Sequence, residues 1–183
     1  MSITNGYCAL AQFKPYANIS STNATDDGAI ELIVEDASRF IDAETGRTFY
    51  ARTETHYFSL PPDYSRELRV DDDLLTITKL TNGDGDTIAS TYYNLIPKNT
   101  DPKYAILLTE SGDYWWSQDS SGNTEYVITV VGTWGYAATA PHNVRAARMQ
   151  IALSMYQGRF DENGRPEMTD VTQRTIAYYR RRL

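Results

Sequence analysis

The side chains best suited to nucleophilic or metal chemistry are few: one thiol, Cys8, and two imidazoles, His56 and His142. A thiolate activated by a neighbouring imidazole would be a nucleophile, whereas two histidines leave little for a His-rich metal site. Cys8, His56 and His142 lie on three separate segments, and no local spacing joins them. A small buried Cys8 and two partly exposed histidines are the simpler reading. A single cysteine also excludes an intrachain disulfide and a cysteine-based zinc cage.

The carboxylates offer two clusters. Asn82-Gly83-Asp84-Gly85-Asp86 is acid-rich, but a calcium loop of the EF-hand kind wants Gly at its sixth position and Glu at its twelfth. Counted from Asn82 those positions are Thr87 and Tyr93, so the match fails. Asp71-Asp72-Asp73 reads as a solvated hairpin edge with at most weak cation affinity. No phosphate-cradling glycine loop, zinc-protease helix or nucleophile elbow is present. Inverting glycosidases need two carboxylates roughly 6.5–9.5 Å apart, and no spacing here selects such a pair. The expectation is a non-enzyme with no catalytic residue, no cofactor and no metal.

Aromatic residues and arginine point to contact instead. The 183 residues include 14 Tyr, 3 Trp and 5 Phe, and only 4 of the 17 cations are Lys. Tyr, Trp and Arg are the residues that interfaces favour. Tyr114-Trp115-Trp116 stands in a polar loop, where one Trp is expected in the core and the other at a partner. The net charge of −7 disfavours general coating of nucleic acid. It is also uneven. Residues 1–142 carry 9 Lys and Arg against 20 Asp and Glu, whereas residues 143–183 carry 8 Arg against 4 acids. An acidic body with an arginine-rich end points to self-association or an acidic partner. Arg180 to Arg182 would serve equally as cations complementing a helix C-terminus.

The elements that must position these residues read as helices at both ends and strands between. No run approaches the ~18 apolar residues of a membrane span, and the N-terminal residues show no secretory signal. Residues 7–13 predict a short helix stopped by Pro15. Ile30, Ile33, Val34, Ala37 and Ile41 predict a helix from Asp26 or Asp27 to about Ala43, with Gly46 as its stop. Thr48-Phe49-Tyr50 and residues 55–58 are β-rich; residues 74–80 and 87–90 predict a hairpin about the Asn82–Asp86 turn; residues 92–96, 105–109 and 126–131 predict three more strands. After Pro141, Val144, Ala147, Ile151 and Met155 mark a helix to about Phe160. Residues 169–183 form a last helix with a thin apolar face (Val171, Ile176, Tyr179, Leu183) that a partner would help to order. The expectation is an α+β single domain over 1–183: a small helical bundle from residues 1–46 and 137–183, with a β-rich antiparallel insertion at 47–136.

The order of motifs carries a family resemblance. Ala37-Ser38-Arg39-Phe40-Ile41-Asp42 leads to Thr45-Gly46-Arg47-Thr48-Phe49-Tyr50; Leu74 to Leu80 leads to the Asn82 turn and to Tyr93-Asn94-Leu95-Ile96-Pro97; Val130-Val131-Gly132-Thr133-Trp134-Gly135-Tyr136 precedes Pro141, Val144 and Ala147. Over residues 37–156 this resembles the head–tail connector (adaptor) proteins of tailed bacteriophages and prophages. The resemblance implies a structural virion protein, assembled in the bacterial host cytoplasm and located at the head–tail junction. It implies a ring, commonly dodecameric, beneath the portal protein. Such a ring extends the channel for double-stranded DNA, which passes without specific binding, and offers a platform for the next connector, stopper or tail protein. It implies a helical bundle with a β-rich insertion and no membrane partner. Residues 105–123 depart from the family minimum, being longer and more aromatic.

A closed ring needs unlike patches that meet head to tail. Arg174, Tyr179, Arg180, Arg181 and Arg182 are the expected portal or subunit contacts, Tyr114, Trp115 and Trp116 the expected partner loop, and Asp71, Asp72 and Asp73 the expected acids facing the channel. The alternatives are another phage ring protein, a stopper or tail terminator, and a carbohydrate- or receptor-binding module built on Tyr114-Trp115-Trp116.

Overall fold

The computed structural model describes residues 6–181, with Tyr64 by its backbone alone. Its contacts divide the chain into two compact units: a helical unit from residues 1–50 and 139–183, and a sheet unit from residues 51–138.

In the helical unit, local periodicity decides the elements. Helix α1 (Leu10–Tyr16) starts later than the spacing predicts and runs through Pro15, which forfeits a single amide bond near the helix end. Helix α2 (Asp27–Thr45) buries Ile30, Val34, Ala37 and Ile41, the expected stripe. Gly46 closes it at φ 64°, donating its N–H to the Asp42 carbonyl at 2.8 Å; a side chain would strain this left-handed cap. Helix α3 (His142–Tyr156) follows Pro141 and buries Val144, Ala147, Ile151 and Ala152. Helix α4 (Asp170–Tyr179) is capped by Thr169, whose hydroxyl accepts the Thr172 N–H at 3.3 Å. This last helix is not left for a partner to order. Thr172, Ile176 and Tyr179 are buried, and the helix packs on α3 and α2.

Thr48-Phe49-Tyr50, β-rich by composition, forms no strand. Phe49 is instead fully buried in the helical unit, edge-on to the rings of Tyr7 (5.8 Å) and Tyr179 (5.3 Å). Tertiary burial of one large ring outweighs the weak β preference of three residues.

The sheet unit holds β1 (Arg52–Phe58), β2 (Glu67–Thr81), β3 (Tyr93–Ile96), β4 (Lys103–Leu108) and β5 (Ile128–Trp134). They form one five-stranded sheet in the order β1-β5-β2-β4-β3, and every adjacent pair is antiparallel. The predicted hairpin is only half present. The Asn82–Asp86 turn closes through an Asn82 N–H to Asp86 carbonyl bond of 2.8 Å, but no strand follows; a single bridge joins Thr81 to Thr87. The long β2 pairs instead with β4 and β5, distant in sequence. Leu68, Leu74, Leu80, Ile106, Val130 and Trp134 centre the core of this unit.

The β2–β5 register shifts twice, between Leu74 and Thr76 and between Ile77 and Lys79, with Gly132 opposite Ile77. A Cβ on Gly132 would stand 2.3 Å from the Thr76 carbonyl oxygen, which belongs to a paired central strand and has little freedom to move. Gly132→Ala is therefore expected to destabilise the sheet unit by about 1–3 kcal/mol, read as an earlier transition in thermal or urea unfolding. Wild-type stability in this variant would refute the close approach.

Candidate assembly interface

Tyr114-Trp115-Trp116 lies on an irregular extended segment between β4 and β5. Trp116 is the inward ring, buried, with its indole N–H donating to the Arg66 carbonyl at 3.1 Å. Trp115 is 49% exposed, and the Arg66 guanidinium sits 4.2 Å from its ring centroid. Tyr114 is half-buried beside Tyr92, centroids 5.1 Å apart. Of these three rings, only Trp115 is thus presented outward.

The acid-rich turn positions this segment, a role that its composition did not disclose. Buried Asn82 donates its amide to the Trp115 carbonyl at 2.9 Å and accepts the Ser117 N–H at 3.1 Å. The Ser117 hydroxyl donates to Asp84 Oδ2 at 2.8 Å. A Cβ on Gly83 would lie 2.0 Å from the Ser117 carbonyl oxygen, so only glycine admits the contact. Trp115→Ala is expected to leave stability within about 0.5 kcal/mol of wild type, whereas Trp116→Ala should cost about 3–5 kcal/mol. Chemical denaturation of both variants checks the assignment; equal losses would contradict it.

The three consecutive acids do not share one face. Asp71 is exposed, with one carboxylate oxygen 3.5 Å from His56 Nδ1. Asp72 is half-buried and paired with Arg52. Asp73 is only 5% exposed, and its carbonyl accepts the Gly135 N–H at 2.7 Å. They sit within β2 rather than at a hairpin edge, so pleating and the β4 register shift separate them. Neighbouring Glu54, despite the opposing pull of partial burial, is held below the usual carboxylate range by hydrogen bonds from Arg52 and His56.

The arginine-rich end is also divided. Tyr179 is buried, its hydroxyl 3.0 Å from Asn143 Oδ1, so it is a core residue and not a free contact. Arg180 folds back on Glu44, reaching its carboxylate at 3.2 Å and its carbonyl at 3.0 Å; Arg165 pairs with the same carboxylate. The Arg181 N–H donates to the Thr45 carbonyl at 2.8 Å, and Arg47 Nε donates to the Tyr179 carbonyl at 2.7 Å. These bonds satisfy carbonyls at the ends of α2 and α4. Arg174 is exposed on α4 and has no ion-pair partner among the described residues. Arg182 and Leu183 lie outside the described residues.

Cys8 and His142 line one cavity of the helical unit with Gln12, Arg145 and Met149, while His56 belongs to the sheet unit and stacks on Trp134 at 3.8 Å. Among the described residues no group of three His, Cys, Asp or Glu could hold a metal ion.

Arg148 belongs to none of the motifs that stand out in the sequence. It lies four residues after Val144 on the apolar stripe of α3 and is fully buried. Its guanidinium donates to the Val34 carbonyl (3.1 Å), the Cys8 carbonyl (3.3 Å) and the Cys8 sulfur. Burial pushes its pKa below the usual arginine value. Tyr7 joins the same segment to α2, its hydroxyl donating to Asp42 and accepting the Phe49 N–H at 2.9 Å. Burial, then Asp42, push the Tyr7 hydroxyl well above the usual tyrosine range. The available signal was a cation at a core position of an amphipathic helix.

No family model matches the sequence, and no curated protein matches it. Solved structures do match the fold. A chain from the neck of an empty GTA particle, computed with C6 symmetry, aligns at TM-score 0.71 and 17% identity, covering 100% of this chain and 95% of that one. One from the neck of a native GTA particle, computed with C12 symmetry, aligns at 0.66 and 18%, covering 100% and 94%. A third, from the virion of a native gene transfer agent particle, aligns at 0.67 and 15%, covering 100% and 95%.

Proposed function

We propose that the protein is a structural, non-enzymatic component of a phage-like neck, of the head–tail connector family. Its fold is that of chains found in the necks of gene transfer agent particles, matched from end to end. Copies close into a ring, dodecameric in this reading, between the portal and the next connector or tail protein. The chain acts there as one domain, the sheet unit being an insertion in the helical one. The full-length match to chains in particles solved with C6 and C12 symmetry carries the reading.

Charge supports a channel that DNA traverses without adhering. The sheet unit holds 6 Lys and Arg against 13 Asp and Glu, while the helical unit holds 11 of each. All of the net negative charge therefore resides on the sheet unit, where it repels phosphate rather than releasing its counterions. Exposed Trp115 supplies an aromatic anchor for a neighbouring component.

Electron microscopy of the purified protein, alone and with its cognate portal, tests the proposal. Twelve-fold rings that stack on the portal are expected. Monomers that neither close alone nor attach to portal would overturn it, and glycan binding lost on Trp115→Ala would favour a receptor-binding module.

A further inference from the structure

Two exposed helical stripes match each other in pattern and oppose each other in charge. On α2, Leu32, Asp36 and Phe40 recur every four residues on the side away from the buried Ile30, Val34, Ala37 and Ile41. Leu32 is 52% exposed, Asp36 is exposed and Phe40 half-buried, with small exposed Ala29 and Ala43 extending the stripe. On α4, Val171, Arg174 and Tyr178 follow one another at three and four residues, opposite the buried Thr172, Ile176 and Tyr179. Val171 is 73% and Tyr178 77% exposed. At 1.5 Å rise per residue, the apolar ends are about 12 Å apart on α2 and about 10 Å apart on α4. Each stripe places one charge between two apolar side chains, negative on α2 and positive on α4. Neither Asp36 nor Arg174 has an ion-pair partner among the described residues.

We propose that α4 of one copy docks on α2 of the next copy in the ring, with Arg174 meeting Asp36 and Val171 and Tyr178 packing against Leu32 and Phe40. This rests on the ring reading above and names the contact that closes it. Both stripes belong to the helical unit and point away from its core, so each protomer presents two unlike patches, as a head-to-tail interface requires. A single exposed ion pair adds little by itself. Its position between apolar residues desolvates it and fixes register, while a like-charge pair there is strongly unfavourable. Arg165, 5.9 Å from the Phe40 ring centroid, is paired with Glu44, and Arg39 is paired with Asp42, so the cations beside the α2 stripe are already engaged.

Charge exchange provides the test, with oligomeric state read by light scattering and electron microscopy, with and without portal. Arg174→Asp and Asp36→Arg should each weaken ring formation by roughly 10–100-fold in protein concentration, and the double variant should restore it. Circular dichroism should be unchanged in all three, since both positions are exposed. A chain carrying Asp36→Cys and Arg174→Cys should form a ladder of intermolecular disulfides on oxidation that neither single variant gives. Wild-type rings with unaltered single variants and no ladder would overturn the helix pairing and leave the ring reading standing. Single variants that close into rings but fail to join portal would assign α4 to the portal and also overturn it. Wild-type protein that never closes would overturn the ring reading and the pairing together.

Discussion

Replacing Arg148 by Ala is expected to destabilise the helical unit by about 3–5 kcal/mol, the range found when one partner is removed from a buried charged network. The side chain is fully buried and ties α3 to α2 and to the segment before α1 through Val34 and Cys8. No carboxylate bonds to it among the described residues, so its charge is solvated by carbonyl dipoles and a sulfur. That arrangement distinguishes three substitutions. Ala leaves a cavity as well as unmade bonds. Met fills the volume and removes the buried charge; the Val34 carbonyl keeps the Ser38 hydroxyl as a donor at 3.1 Å, so Met should recover most of the loss. Lys keeps a charge but cannot fork to three acceptors, and should be worse than Met. Urea unfolding of the three variants gives the order. Hydrogen exchange at residues 7–9 should rise in all of them, because the Cys8 carbonyl loses its anchor. Lys equal to wild type would show that the fork geometry is immaterial.

Trp134→Ala is expected to cost the sheet unit about 3–5 kcal/mol, the usual range for removing a large buried ring. Trp134 is fully buried, lies opposite Arg52 on β1 and Leu74 on β2, and donates its indole N–H to the Glu54 carbonyl at 3.2 Å. His56 stacks on it at 3.8 Å, and Phe58 lies parallel at 6.2 Å. The ring therefore ties β5 to β1 within the core that it shares with Leu74 of β2. Trp134→Phe should recover about half of the loss, because it keeps an aromatic body without the N–H. Unfolding followed by near-ultraviolet dichroism checks both variants. A loss below about 1 kcal/mol for Ala would mean that the sheet closes without this ring.

The helices were legible because their signals are local. The stripe of α2, its glycine stop at Gly46, the proline before α3 and the threonine cap of α4 each lie within one or two turns of what they specify. Most strands were legible for the same reason, although residues 48–50 and 87–90 form none; strand pairing was not. The Asn82 turn looks like the centre of a hairpin, yet β2 is held by β4 and β5, and the turn serves instead to clamp Trp115 and Ser117. The proposed contacts divided along similar lines. Arg174 stands outward on α4 as its sequence position allows, whereas Tyr179, one turn on, is core, and Arg180 is engaged by Glu44 of α2. Nothing near residue 180 announces Glu44.

Composition by itself determined a chain rich in aromatic residues and arginine, and local periodicity placed its helices and most of its strands. Both are sums over neighbouring residues, which is why one dimension suffices. Tertiary structure alone decided which of two adjacent tryptophans is buried, that Asp73 lies inside while Asp71 lies outside, and how the charge divides. Along the chain the boundary at residue 142 separates −11 from +4; in space residues 1–50 rejoin the C-terminal helices, and the division becomes −7 on the sheet unit and zero on the helical unit. The physical reason is pairing across long separations. Residues as distant as Arg52 and Trp134 become cross-strand neighbours, and burial follows from that pairing rather than from any local pattern.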